Sequence, residues 1–124
     1  MEIHGHIKFT VVKQLAEEVI SEMPVEAGIL NPFGVVNAGA ILWFADVTAS
    51  VLVLAGVTPE PGMKGFPLAI NLNANLIGNS KDGIFVATSS YVKKGRTVSV
   101  VRTVVTGLDG KLIADVTTSH VRSA

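Results

Sequence analysis

The chain has 124 residues, 48% apolar and 16% charged, with ten basic against ten acidic side chains. That length suits one domain over residues 1–124 with one core, and the apolar fraction excludes a disordered chain. The charge balance argues against a nucleic-acid surface, and the absence of cysteine removes disulfides, thiolate metal sites and a cysteine nucleophile.

The first residues, MEIHGHIKFT, show no basic region leading into an apolar one. No secretory leader is expected, and a cytoplasmic setting is. His4 and His6 have the spacing of a chelating pair, but no third His lies nearby, so a surface N-terminus is expected and no metal is required. Residues 13–23 read two ways. Leu15, Ala16, Val19, Ile20 and Met23 fit a helical stripe, whereas residues 19–25 fit the start of a strand. Pro24 stops any helix at Met23.

Residues 38–55 carry a single charge, Asp46. A membrane span needs about 20 apolar residues, and an Asp at its centre costs roughly 2.5–3.5 kcal/mol. The stretch also lacks flanking basic residues. A helix apolar on every side and buried inside the protein is the expectation, with no membrane contact. Asn37 is a fitting N-cap and Gly56 a fitting terminator. Thr58-Pro59-Glu60-Pro61-Gly62 is a loop.

Beyond the loop the period changes to two. Leu68, Ile70, Leu72, Ala74 and Leu76 alternate with Ala69, Asn71, Asn73 and Asn75. The three asparagines are expected on a polar outer face or at a subunit contact. Turn residues at 78–83, 93–96 and 107–110 separate strands at 84–92, 97–106 and 112–121. The spacing predicts a four-stranded antiparallel meander, with a fifth strand before the helix. His120 falls in the last strand and is given no role. A helix apolar all round needs a curved sheet wrapped about it, which makes the fold class α+β, and a second subunit to close the remaining face. Phe33, Trp43 and Phe44 are expected in the core or at that interface before a ligand pocket, and some serve both if the pocket lies between subunits.

Asp46 is the chemical problem. An ionised carboxylate in this setting is costly unless paired, hydrated or used. The helix start offers a complement. Its first N–H groups, at Ala38 and Gly39, lack intrahelical partners and can hold a developing oxyanion. Asp46 could then act as nucleophile or as general base for water. Yet eight residues of regular helix separate Ala38 from Asp46, about 12 Å along the axis. One carbonyl cannot touch both within one chain. If both serve one substrate, Asp46 comes from a neighbouring subunit. Ser50, four residues on, either holds the attacking water or bonds back to the carbonyl of residue 46.

The pattern Asn31-x5-Asn37-Ala38-Gly39-x6-Asp46 resembles the hotdog-fold acyl-CoA thioesterases, most of all the phenylacetate-degradation and hydroxybenzoyl-CoA thioesterase branch. The strand LAINLNANLI, the Gly95-Arg96 pair and the Asp109-Gly110-Lys111-Leu112-Ile113-Ala114 hairpin also resemble their counterparts there. The resemblance runs from about Val25 onward. It implies a curved sheet around one helix, working as a homodimer or dimer of dimers, and hydrolysis of an acyl-CoA thioester with coenzyme A as part of the substrate. It implies that Asp46 is the catalytic carboxylate and that the Ala38 N–H polarises the thioester carbonyl. Asn31 would position thioester or water, and Ser50 would match a Thr near the water. Lys94, Gly95 and Arg96 would meet the phosphates of coenzyme A, where composition alone also allows a solvated hairpin tip. The family's His falls at Asn37, and its first Gly at Ala38. Asn keeps some hydrogen-bonding capacity of His but not its charge. The alternative reading is therefore a non-catalytic acyl-CoA-binding protein. A dehydratase or hydratase ranks below it, because such enzymes pair a His with the carboxylate and the histidines here lie at the two ends of the chain.

Overall fold

In a computed structural model that describes all 124 residues, one long helix and six strands form. The order is β1 (Thr10–Gln14), β2 (Glu18–Pro24), α1 (Ala38–Leu54), β3 (Pro67–Leu76), β4 (Ile84–Lys94), β5 (Ser99–Gly107) and β6 (Leu112–Arg122), with a 3-10 turn at Ala27–Ile29. The ambiguous segment is a strand. Val19, Ser21 and Met23 of β2 are buried while Glu18, Ile20 and Glu22 are half-exposed, the alternation of a strand with one face on a core.

One antiparallel sheet holds all six strands in the order β1-β2-β4-β5-β6-β3. Two expectations are corrected. Two strands, not one, precede the helix. The meander has three strands, β4-β5-β6, because β3 pairs with β6 and not with β4. The segment between β3 and β4 is no hairpin. The Ile77 and Gly78 N–H groups donate to the Ile113 carbonyl, and the Asn79 side chain reaches Val36 beside the helix start. The chain is thereby carried off the β3 edge. β4 then takes β2 as its neighbour over the full span Glu18↔Ser90 to Pro24↔Ile84.

The sheet wraps α1. Ala40, Ile41, Phe44, Ala45, Thr48, Ala49 and Leu52 of α1 are buried, and the alanines let the sheet come close. Phe44 is 0% exposed, in a cluster with Met23, Phe85, Val105, Ile113 and Val116. Phe9 packs edge-on against Phe44 and Trp43, with ring centroids 5.2 and 4.9 Å away. Phe44→Ala should therefore cost about 3–5 kcal/mol, read by urea unfolding. Phe33, by contrast, is 88% exposed and takes no part in this core.

The strand β3 is an edge, and α1 leaves much of it uncovered. A register shift between Ala69 and Asn71 makes Ile70 an extra residue. Ala69, Leu72, Ala74 and Leu76 then share the inner face of β6 residues His120, Thr118, Val116 and Ala114. Asn71, Asn73 and Asn75 share the outer face of Ser119, Thr117 and Asp115. The asparagines are outside as expected, but Leu68 sits opposite Val121 and not on the face of Leu72. Leu68, Ile70, Leu72 and Leu76 are all exposed. The helix begins after Asn37 and ends at Leu54, where Ala55 already takes the left-handed conformation, φ 54°, ahead of Gly56, φ 87°. No helix of the chain is long and apolar enough to cross a membrane.

Candidate active site

The start of α1 sits on a loop tied down by two asparagines. Asn31 Oδ1 accepts from the N–H groups of Phe33 (2.9 Å) and Val35 (3.3 Å), and the Asn31 N–H donates to the Val35 carbonyl (2.7 Å). Gly34 supplies the left-handed conformation the turn requires, φ 84°. Asn79 clamps the other side: its Oδ1 accepts from the Val36 N–H (3.1 Å) and its Nδ2 donates to the Val36 carbonyl (2.9 Å). Asn31 thus has its carbonyl oxygen committed to the loop. Asn79, a turn residue by sequence, proves to be a strut of the site.

Asn37 caps the helix. Its Oδ1 accepts from the Gly39 N–H at 2.8 Å, and its carbonyl accepts from Ala40 and Ile41. A Cβ at position 39 would lie 3.2 Å from that Oδ1, so glycine keeps the cap open. The two expected oxyanion donors therefore differ. The Gly39 N–H is occupied by the cap, whereas the exposed Ala38 N–H has no partner in the chain. Ala38 alone presents a free donor at the positive end of the helix dipole.

Asp46 lies two turns further along an unbroken helix, half-buried, with Oδ1 buried and unpartnered. The fold leaves it about 12 Å along the axis from Ala38. The chain does not bring the two together. The Ser50 hydroxyl donates to the Asp46 backbone carbonyl at 3.1 Å, the second of the two arrangements open to it. Ser50 and Leu54 continue the Asp46 face of α1 into an open cavity of about 470 Å³, lined on its other side by Met63, Phe66 and Pro67.

Sequence spacing gives no reason to expect His120 here, yet β6 carries it under the helix. Val116, Thr118 and His120 are buried on one face of β6, and His120 is 1% exposed. Its Nε2 lies 2.8 Å from Thr118 Oγ1, and its Nδ1 is buried without a partner. Burial pushes the imidazole below its ordinary pKa, and the negative charge of Asp46 pulls it partly back. The two-residue period of the last strand is the signal that places His120 with Val116 on the inner face.

Lys94, Gly95 and Arg96 border a second cavity, of about 380 Å³, near the C-terminal end of α1. Lys64 and Arg122 join them, and no carboxylate lines it. A Cβ at Gly95 would sit 2.0 Å from the Val98 carbonyl oxygen, so its place in the site is to let the turn close. Tyr91 lies beneath Lys94, whose ammonium is 5.5 Å from the ring centroid, and donates its hydroxyl to the Leu52 carbonyl.

A curved six-stranded antiparallel sheet around one long helix is the hotdog fold, and solved structures carry the same arrangement. A mutant of a thioesterase from Staphylococcus aureus superposes with a TM-score of 0.85 at 23% identity, over 94% of this chain and 93% of that one. A protein from Streptococcus mutans bound to acetyl-CoA gives 0.84 at 20% identity, over 99% and 94%. A hypothetical thioesterase from Streptococcus pneumoniae with coenzyme A gives 0.82 at 17%, over 94% and 87%. No protein-family model matches the sequence, and no curated protein matches it.

Proposed function

We propose that this chain is a cytoplasmic acyl-CoA thioesterase, one hotdog unit over residues 1–124, acting as a homodimer or a dimer of such dimers. The observation that carries the reading is the pairing of a free N–H at Ala38 with a carboxylate at Asp46 that its own chain leaves with an unpartnered oxygen. Water adds to the thioester carbon, whose oxygen charges against the Ala38 N–H of one protomer. Asp46 of the other protomer takes the water's proton, the C–S bond breaks, and coenzyme A leaves as a thiol carrying that proton while the acid is released. In the nucleophilic variant Asp46 adds to the carbon before water does and coenzyme A leaves as thiolate; water then cleaves the acyl–Asp46 anhydride, one of its protons going to the thiolate, and the acid is released with the carboxylate restored. Coenzyme A or acetyl-CoA in two structures of the same fold supports the substrate class. The order of motifs from Asn31 to Asp46 favours the phenylacetate and hydroxybenzoyl-CoA branch within it.

The edge of β3 supports the dimer. Its outer backbone groups are unpaired, and Ile70, Leu72 and Leu76 are exposed along it. A second copy pairing antiparallel along β3 would bury those side chains and set the two helices side by side in opposite directions. Asn37, whose side chain is a helix cap, carries no charge to the reaction.

The basic cavity supports the placement of the coenzyme's phosphates on Lys94, Gly95 and Arg96, with Lys64 and Arg122 at hand. Thiol release from short, long and aromatic acyl-CoAs tests the whole reading. Tight acyl-CoA binding without release by the wild-type protein would make it a binding protein instead. Arg96→Ala should raise KM about tenfold with kcat little changed, and the penalty should shrink at high salt.

A further inference from the structure

The basic cavity at the C-terminal end of α1 has a titratable wall. His120 borders it from the inner face of β6, 1% exposed. Thr118 Oγ1 meets its Nε2 at 2.8 Å, and its Nδ1 has no partner in the protein. Lys64, Lys94, Arg96 and Arg122 border the same cavity, and no carboxylate does. None of the four is in an ion pair; the acids of the chain pair with Lys8, Lys13, Arg102 and His4 elsewhere. Tyr91 adds no negative charge, because burial first, and then the charge of Glu17, hold its hydroxyl above the ordinary pKa. The helix end supplies nothing to an anion: it is the negative end of the dipole, and the Leu52 carbonyl is taken by the Tyr91 hydroxyl and the Ala55 N–H.

The other neighbours of His120 leave its charge to this cavity. β3 places Ala69 beside it and β5 places Ser99, neither of them ionisable near neutral pH. α1 has one ionisable residue, Asp46, whose charge works against the lowering that burial imposes on the ring. The ring of the free protein is therefore neutral at pH 7.

We propose that anion binding in this cavity and protonation of His120 are linked: a phosphoryl group held by the four cations favours the imidazolium, which completes the site as a fifth positive group. The charged ring carries a proton on both nitrogens, so the idle Nδ1 becomes a donor. It forms where the anion offsets the cost of its burial. Linkage is reciprocal: an anion that tightens the hold of the ring on a proton is itself held more tightly once the ring is charged. Affinity is highest below the midpoint of the free ring, falls as pH rises from there to the midpoint of the complex, and is flat above it. That the phosphoryl group is one of those of coenzyme A rests on the thioesterase reading, whereas the link does not.

Histidine NMR across a pH titration, with sulfate against chloride at equal ionic strength, tests the link without substrate. Sulfate keeps its double charge through the range, so any change belongs to the protein. Saturating sulfate should raise the His120 midpoint by about half a pH unit or more, which by linkage is about a threefold gain in sulfate affinity from pH 8 to pH 5. His4 and His6, exposed near the start of the chain, should not move. At subsaturating sulfate Arg96→Ala should shrink the shift. An unmoved His120, three histidines that move together, or a shift indifferent to Arg96→Ala overturns the proposal. Coenzyme A should produce the shift at a lower concentration than inorganic phosphate; the reverse order overturns the assignment to the coenzyme. In turnover, the KM of His120→Gln should exceed that of wild type about threefold at pH 5 and converge with it at pH 8, with kcat little changed. Superimposable KM profiles overturn the link. If wild type hydrolyses no acyl-CoA while sulfate still moves His120, the thioesterase reading falls and the link stands. Hydrolysis with a His120 indifferent to sulfate removes the link alone.

Discussion

Asp46→Asn is expected to cut thioester hydrolysis by about a thousandfold while raising the thermal midpoint by a few degrees. The two effects have one cause. The amide has the shape of the carboxylate but can neither take a proton from water nor attack a carbonyl, and losing a positioned general base typically costs 10²–10⁴. In the wild type an ionised group is held among apolar side chains, with one oxygen buried and unpartnered. A buried oxygen with no hydrogen-bond partner is a standing cost, on the order of 1–3 kcal/mol. A neutral side chain of equal volume relieves it. Initial rates of thiol release and calorimetric unfolding, on the same preparations, read both. A variant at the wild-type rate would take Asp46 out of the chemistry. One destabilised by several degrees would mean that the carboxylate is held by contacts stronger than its desolvation.

The same carboxylate shows how far the sequence could be followed. The helix around it is legible because everything that makes it is local: the Asn37 cap, the unbroken apolar run, and the stop before Gly56. The occupied state of the Gly39 N–H was legible too. An N-cap side chain accepts from the second or third helical N–H, and Gly39 is the second. What local pattern cannot carry is which strand pairs with which. Residues 77–83 have the composition of a hairpin, but Asn79 is drawn to Val36, 43 residues away in sequence, and the strands it links end up at different places in the sheet. The bulge at Ile70 is hidden for a similar reason. The alternation of 68–76 is regular in sequence, and the slip that turns Leu68 outward exists only against β6. His120 combines both limits. Its period places it on the inner face of β6, but only the wrap of the sheet sets it within the field of Asp46.

Ala38→Pro should lower kcat by about 10²–10³ without unfolding the helix, because it deletes one N–H and little else. Position 38 is the first residue of α1, where proline is favoured, since that N–H has no intrahelical partner to lose. The residue before a proline must be extended, and Asn37 already is, with φ −61° and ψ 133°. Far-UV circular dichroism should therefore match wild type while turnover collapses. If the carbonyl is held by Ala38 of one protomer and attacked by Asp46 of the other, two dead variants can repair each other. In a mixed dimer of Ala38→Pro and Asp46→Asn chains, one site carries both lesions. The other site joins an intact Ala38 N–H to an intact Asp46. Unfolding and refolding an equal mixture makes about half the dimers mixed, each with one of two sites whole, so about a quarter of the wild-type activity should return. Each variant refolded alone should stay dead. If both groups serve one carbonyl within a single chain, every site in the mixture keeps one lesion and nothing returns. That outcome would require α1 to be broken between residues 38 and 46, since a regular helix holds the two groups about 12 Å apart.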